Sequence, residues 1–150
     1  EFTINPIDGL LINGSAGYTK LTAPDIRERT FNRRQNTPFW TANTGIQYEI
    51  DAPGLAGSFT PRLDWVYESS QVVSGVSTNF DNLLPARSVF NARLTYQNDE
   101  HGFSIAAGAT NLFNKLYYYN VFDSQALGAA YTGAQPAAPR QLYLTVEKKF

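Results

Sequence analysis

Apolar and polar residues alternate with a period of two in six stretches of this chain, roughly 10–20, 38–50, 58–70, 87–98, 103–114 and 140–150, with clusters of Gly, Pro, Asn and Asp between them. Successive side chains of a strand point to opposite sides, so each stretch predicts an amphipathic β-strand. In the third, Phe59, Leu63, Trp65 and Tyr67 share one face and Thr60, Arg62, Asp64 and Glu68 the other. The fourth sets Phe90, Ala92, Leu94 and Tyr96 against Asn91, Arg93, Thr95 and Gln97. The last sets Leu142, Leu144, Val146 and Phe150 against Tyr143, Thr145, Glu147 and Lys149. Lys148 falls on the apolar side, near enough to the end for its ammonium to reach an interface.

A water-soluble β-sandwich alternates in the same way, so the period alone does not name the solvent. Three further features point to a bilayer. The stretches run to about 11–13 residues, where ordinary globular strands centre on about 5–6, and that length suits a tilted span of the hydrocarbon layer. The connections alternate: about seven residues at 51–57 and about four at 99–102, against about seventeen at 21–37, sixteen at 71–86 and twenty-five at 115–139, an asymmetry that transmembrane barrels show. With the short connections taken as periplasmic, the strands alternate up and down and the C-terminus lies within the cell envelope. Tyr18, Trp40, Trp65, Tyr67 and Phe90 then fall near the outer rim, and Tyr48, Phe59, Tyr96, Phe103 and Phe150 near the periplasmic rim. Two aromatic girdles are what the two interfaces of a bilayer select. Ala16, Ala42, Ala92, Ala107 and Ala109 fill the band between them.

Composition agrees. Of 150 residues, 17% are charged and 14% aromatic, against roughly 25% charged in an average soluble domain. No run of about 18 apolar residues occurs, which excludes a transmembrane helix but leaves transmembrane strands open. A net charge of -1 gives no basic excess for nucleic acid, and the one basic cluster, Arg27, Arg29, Arg33 and Arg34, reads as a solvated loop. With no cysteine, neither a disulfide framework nor a Cys-ligated zinc site is available. The lack of methionine and of a basic-apolar leader places any signal peptide upstream, so the chain reads as a fragment.

Specific motifs then narrow the reading. Ala109-Thr110-Asn111-Leu112-Phe113-Asn114-Lys115-Leu116-Tyr117-Tyr118-Tyr119-Asn120, the pair Pro139-Arg140 and the terminal Phe150 resemble, in order, the end of a TonB-dependent outer-membrane receptor. Leu11-Ile12-Asn13-Gly14-Ser15-Ala16-Gly17-Tyr18-Thr19, Asn36-Thr37-Pro38-Phe39-Trp40 and Arg62-Leu63-Asp64-Trp65-Val66-Tyr67-Glu68-Ser69 resemble three earlier strands of the same family, so the likeness covers nearly the whole chain. Pro38 and Pro139 precede strands, where a missing amide donor costs little, and Asn111 and Asn114 are placed to cap backbone groups at a strand end. Phe150 resembles the signal read by the outer-membrane assembly machinery. Lys148, third from the end where the family commonly has an apolar residue, departs from it.

The resemblance implies an all-β fold, with residues 1–150 forming roughly the last quarter of a large transmembrane β-barrel and the plug, its TonB box and the earlier strands absent. It implies an active transporter of the Gram-negative outer membrane that takes up a scarce, bulky nutrient with TonB-supplied energy, ferric siderophore first and cobalamin, haem or oligosaccharide next. It implies no enzyme activity, catalytic residue, metal or cofactor. The implied partners are the bilayer and lipopolysaccharide, the plug of the same protein, TonB through that plug and the assembly machinery. Inward-facing Arg62, Asp64, Glu68, Asn91 and Arg93 would line the lumen and meet the plug, with structural pairing their expected role ahead of substrate contact. Tyr117, Tyr118, Tyr119, Phe122, Asp123 and Tyr131 of the last outer loop would either meet ligand or, for the three consecutive tyrosines, continue the outer girdle.

Two other classes stay open at this stage. A soluble ligand-binding β-barrel or sandwich keeps the alternation but not the strand lengths or the loop asymmetry. An outer-membrane barrel enzyme needs a base beside a nucleophile; the sole histidine, His101, sits in a short turn, and the carboxylates are scattered apart from Asp99 and Glu100 in that same turn. Six such strands cannot close a wide barrel, so an isolated piece with bare edges at 10–20 and 140–150 is expected to self-pair, self-close or aggregate.

Overall fold

The computed structural model describes residues 1–20, 36–73, 83–123 and 131–149, with the side chains of Phe122 and Asp123 outside the description. The Arg27 to Arg34 cluster and Phe150 also lie outside the described residues. Among those described, the chain is all-β apart from one 3-10 turn. Strands β1 (Phe2–Ile4), β2 (Leu10–Tyr18), β3 (Trp40–Tyr48), β5 (Gly57–Glu68), β8 (Arg87–Asn98), β9 (Phe103–Thr110) and β12 (Gln141–Lys148) lie side by side in that order, every neighbouring pair antiparallel. Short β4 (Ile50–Ala52) also pairs with β5.

All six expected strands are present, at 8 to 12 residues where 11–13 was expected. Local chemistry ends them early. The strand expected over 38–50 breaks at Glu49, whose amide bonds the carbonyl of Gly9 at 2.8 Å, and β4 resumes its line along β5. The strand expected to reach 114 ends at Thr110, because Asn111 turns into the left-handed region at φ 49°. The bare edge expected at 10–20 is partly covered by β1, which pairs Phe2, Thr3 and Ile4 with Gly14, Asn13 and Ile12.

Register joins like to like. Trp65 faces Phe90, Leu63 faces Ala92 and Phe59 faces Tyr96, while Arg62 faces Arg93 and Asp64 faces Asn91. A slip of one residue would carry each apolar set to the polar side, so the pattern itself fixes the pairing. The apolar face stays open: on β12, Leu142, Leu144 and Val146 are 77%, 70% and 64% exposed, and among the described residues no large side chain is fully buried. A two-layer sandwich would bury that face against a second sheet. Here, among the described residues, no second sheet lies over these side chains.

Aromatic rings gather at both ends of the apolar face. At the end with the long connections, Tyr18 and Trp40 lie 4.7 Å apart, Trp65 and Tyr67 6.0 Å, and Phe90 meets Phe113 edge-on at 5.3 Å. At the tight-turn end, Phe59, Tyr96 and Phe103 form a chain at 5.0 and 5.9 Å. There the Tyr96 hydroxyl donates to the Leu55 carbonyl at 2.5 Å and Asn98 Nδ2 reaches the same oxygen at 3.1 Å. Lys148, on the apolar face opposite Phe103, turns its ammonium to the carbonyl of His101 in the last turn.

Two of the long connections contain further strands that alternation did not disclose. Within 71–86, β6 (Gln71–Val72) pairs with β7 (Leu83–Leu84), and within 115–139, β10 (Tyr118–Asp123) pairs with β11 (Thr132–Pro136) as a hairpin.

Candidate functional site

Glu68 closes β5 and Arg87 opens β8, and the register sets them opposite each other on the polar face. Their side chains form an ion pair at 2.7 Å. The chain leaving β9 folds back over this pair. Arg87 Nη1 donates to the carbonyl of Tyr118 at 3.1 Å, and the guanidinium lies 4.8 Å from the ring centre of Tyr117 and 5.8 Å from that of Tyr119. The two rings meet edge-on at 5.5 Å. A cleft of about 410 Å³ opens between the polar face and this loop, lined by Glu68, Arg87, Asn91, Tyr117, Tyr119 and Gln141 among others. A second, of about 390 Å³, shares Arg87 and Tyr117 with the first and is lined by Leu83, Leu84, Pro85, Leu116, Tyr118 and Val121.

The Asn111-Leu112-Phe113-Asn114-Lys115 motif holds the loop in that position. Asn111 is buried at 5% exposure. Its Nδ2 donates to the carbonyls of Lys115 at 2.9 Å and Ala138 at 3.2 Å, its Oδ1 accepts from the Lys115 amide at 2.8 Å, and its own amide donates to Asn91 Oδ1 at 2.9 Å. Asn114, also left-handed at φ 52°, accepts from the Arg140 amide at 2.9 Å. Asparagine tolerates that backbone region and offers both donor and acceptor, so one residue type serves both needs. The capping role expected for both asparagines is observed, and it reaches across to the Pro139-Arg140 segment.

Burial, followed by the hydrogen bond and charge of Tyr119, pushes the Tyr117 phenol up to about 12, with the Arg87 cation opposing the rise. A phenol raised above its ordinary 10.0 keeps its proton in the folded loop while an unfolded one would release it. Its contribution to loop docking is therefore complete below pH 10 and is lost as the pH rises towards about 12. Hydrogen exchange at the Ala137 amide, which donates to the Tyr117 carbonyl at 2.9 Å, should show extra opening over that window, beyond base catalysis, in the natural protein and not in Tyr117→Phe. Equal opening in both would refute this.

The polar-face residues singled out from the sequence fall into separate groups. Arg62 spans three strands: Nε donates to both oxygens of Asp64 at 3.0 Å, Nη1 to Gln47 at 2.9 Å, and Nη2 to Asn13 at 3.3 Å. Glu68 belongs to the cleft, and Asn91 joins it to the Asn111 knot. Arg93 is exposed, donates to Thr95 at 3.1 Å and stands apart from the cleft. Of the loop residues, Tyr117 and Tyr119 line the polar cleft and Tyr118 the apolar one. Tyr131 is 63% exposed and borders neither. Phe122 and Asp123 lie on β10 with side chains outside the description. Arg87 is the residue that sequence reasoning missed; its signal was alternation, since it continues the polar series Asn91 and Arg93 back to the start of β8. Among the described residues, no three or more His, Asp or Glu side chains converge as a metal site would require.

No protein-family model matches the sequence, and no curated protein matches it. Among solved structures, 99% of the chain superposes on the ferric yersiniabactin uptake receptor FyuA of Yersinia pestis with a TM-score of 0.80 at 16% identity. The chain has the fold of a receptor β-barrel segment. It spans 22% of that receptor's length. Within the chain, β1 and β12 are the two outer strands of the sheet. The cleft at Arg87 lies at the end of the sheet that carries the long connections.

Proposed function

We propose that this chain forms wall and outer rim of an outer-membrane active transporter, energised through TonB, that takes up a ferric siderophore. The observation that carries the reading is the superposition of nearly the whole chain on a ferric siderophore uptake receptor. The open apolar face with aromatic bands at both ends suits lipid, with lipopolysaccharide around the outer band. On the polar face, Arg62, Asp64, Glu68, Asn91 and Arg93 look into the lumen towards a plug supplied by another part of the protein. At the outer rim, Tyr117 and Tyr119 offer ring faces and hydroxyls to a bulky ligand, as amphipathic aromatics do in binding sites.

Deleting the gene and measuring uptake of iron-55 complexed to a panel of siderophores tests the proposal. One complex should lose uptake and regain it on complementation. Undiminished uptake of every ferric siderophore would overturn the substrate class, and recovery of the intact protein in the soluble fraction would overturn the membrane reading itself.

A further inference from the structure

The geometry points to Arg87 as a positioning residue, a strap that holds the β10–β11 hairpin and the two cleft tyrosines against the barrel wall. This deepens the ligand-contact reading of the cleft and rests on it.

The wall side of the strap is rigid. Glu68 and Arg87 end one long antiparallel ladder that runs without a break from Gly57 opposite Asn98. The loop side hangs on fewer ties: Asn111 and Asn114 fix the base of the hairpin through Ala138 and Arg140, and Arg87 grips further along, at the Tyr118 carbonyl and the two rings. Only a guanidinium can serve all of these at once, because its edge carries donors in a fixed fork while its flat face stacks on aromatic rings. A lysine ammonium would keep the ion pair with Glu68 and lose the stacking. The alternative task for an exposed-end arginine is to trap an anionic ligand directly, but Glu68 already lies on it at 2.7 Å. Among the described residues, Glu68 and Arg87 are the only Asp, Glu, Lys or Arg side chains lining the cleft, and their charges cancel. Arg87 and Tyr117 also border both clefts.

The test is hydrogen exchange by mass spectrometry on the full-length protein in detergent, read in peptides covering 131–138 and 117–121. Arg87→Ala should speed exchange there about tenfold, and Arg87→Lys nearly as much, because stacking is what it fails to replace. Arg93→Ala, on the same face but away from the cleft, should leave exchange in these two peptides unchanged. Glu68→Gln, which keeps the guanidinium, should give a few-fold increase and serves where Arg87→Ala does not assemble. In uptake assays of ferric siderophore, Arg87→Lys should raise KM with the maximal rate kept. Unchanged exchange in Arg87→Ala and Glu68→Gln, or full restoration by lysine, would overturn the strap. If exchange responds as expected while the natural protein takes up no ferric siderophore, the transport reading fails and the strap stands. If uptake is normal and exchange does not respond, the reverse holds.

Discussion

Asn111→Ala should release the outer hairpin from the sheet and cost about 4 kcal/mol locally. Three side-chain hydrogen bonds vanish at once, and they leave the Lys115 amide and the Lys115 and Ala138 carbonyls without their partner at a position only 5% exposed. A typical net loss is about 1 kcal/mol per bond, more where a buried group is left unpaired. Alanine at φ 49° adds about 1 kcal/mol of left-handed strain that asparagine partly escapes. Exchange at the Ala137 amide should rise by about a thousandfold, since each 1.4 kcal/mol is a factor of ten. A graded series separates the causes. Asn111→Gly relieves the strain but restores no bond, and Asn111→Asp keeps the acceptor for the Lys115 amide while losing both donors. Ala should open the hairpin more than Gly, and Asp should open it as well, because its carboxylate would set an acceptor against the Lys115 and Ala138 carbonyls. An alanine variant that exchanges like the natural protein would show that the knot is ornamental.

That residue also shows how far the sequence could be read. Asn111 and Asn114 were legible as caps, because short amides at a strand end have few other uses. The strands β5 and β8 were legible almost to the residue, since twelve residues of alternation leave little freedom of phase. What escaped was short or non-local. Phe2–Ile4, Ile50–Ala52 and Gln71–Val72 are too brief for a period-two signal to rise above chance. The hairpin of β10 and β11 was hidden because Thr132–Pro136 reads Thr-Gly-Ala-Gln-Pro, residues that ordinarily mark a loop and become a strand only by pairing with Tyr118–Asp123. Arg87 escaped for a related reason. Its partners come from β5 and from the loop after β9, thirty-one residues away at Tyr118, and only register plus fold-back brings them together. Local pattern thus discloses the wall of a barrel, and the rim site waits on tertiary structure.

The polar face carries the second large effect, at Gly45. A Cβ built there would collide with Arg62 Nη2 and lie 2.7 Å from Asp64 Oδ1 and 2.9 Å from Asn13 Oδ1. The glycine is therefore the gap through which the guanidinium crosses from β5 over β3 to β2. All three obstructing atoms are ends of side chains, so the ladder survives Gly45→Ala and the polar network does not. The ion pair with Asp64 is 28% and 36% exposed on its two sides and contributes little after screening; the cost comes mainly from the bonds to Gln47 and Asn13, about 2 kcal/mol together. Removing the arginine first should reverse the sign. In an Arg62→Met background the guanidinium no longer fills the gap, the Asp64 and Asn13 side chains that it held there are free to turn aside, and alanine in a strand gains roughly 0.5–1 kcal/mol over glycine through lower unfolded-state entropy. Urea titration of the detergent-solubilised protein, followed by the fluorescence of Trp40 and Trp65, measures both legs of this cycle. Gly45→Ala should be destabilising alone and neutral to stabilising beside Arg62→Met. Equal costs in both backgrounds would mean that the methyl group collides with something other than the guanidinium, and the three-strand stitch would lose its claim on Gly45.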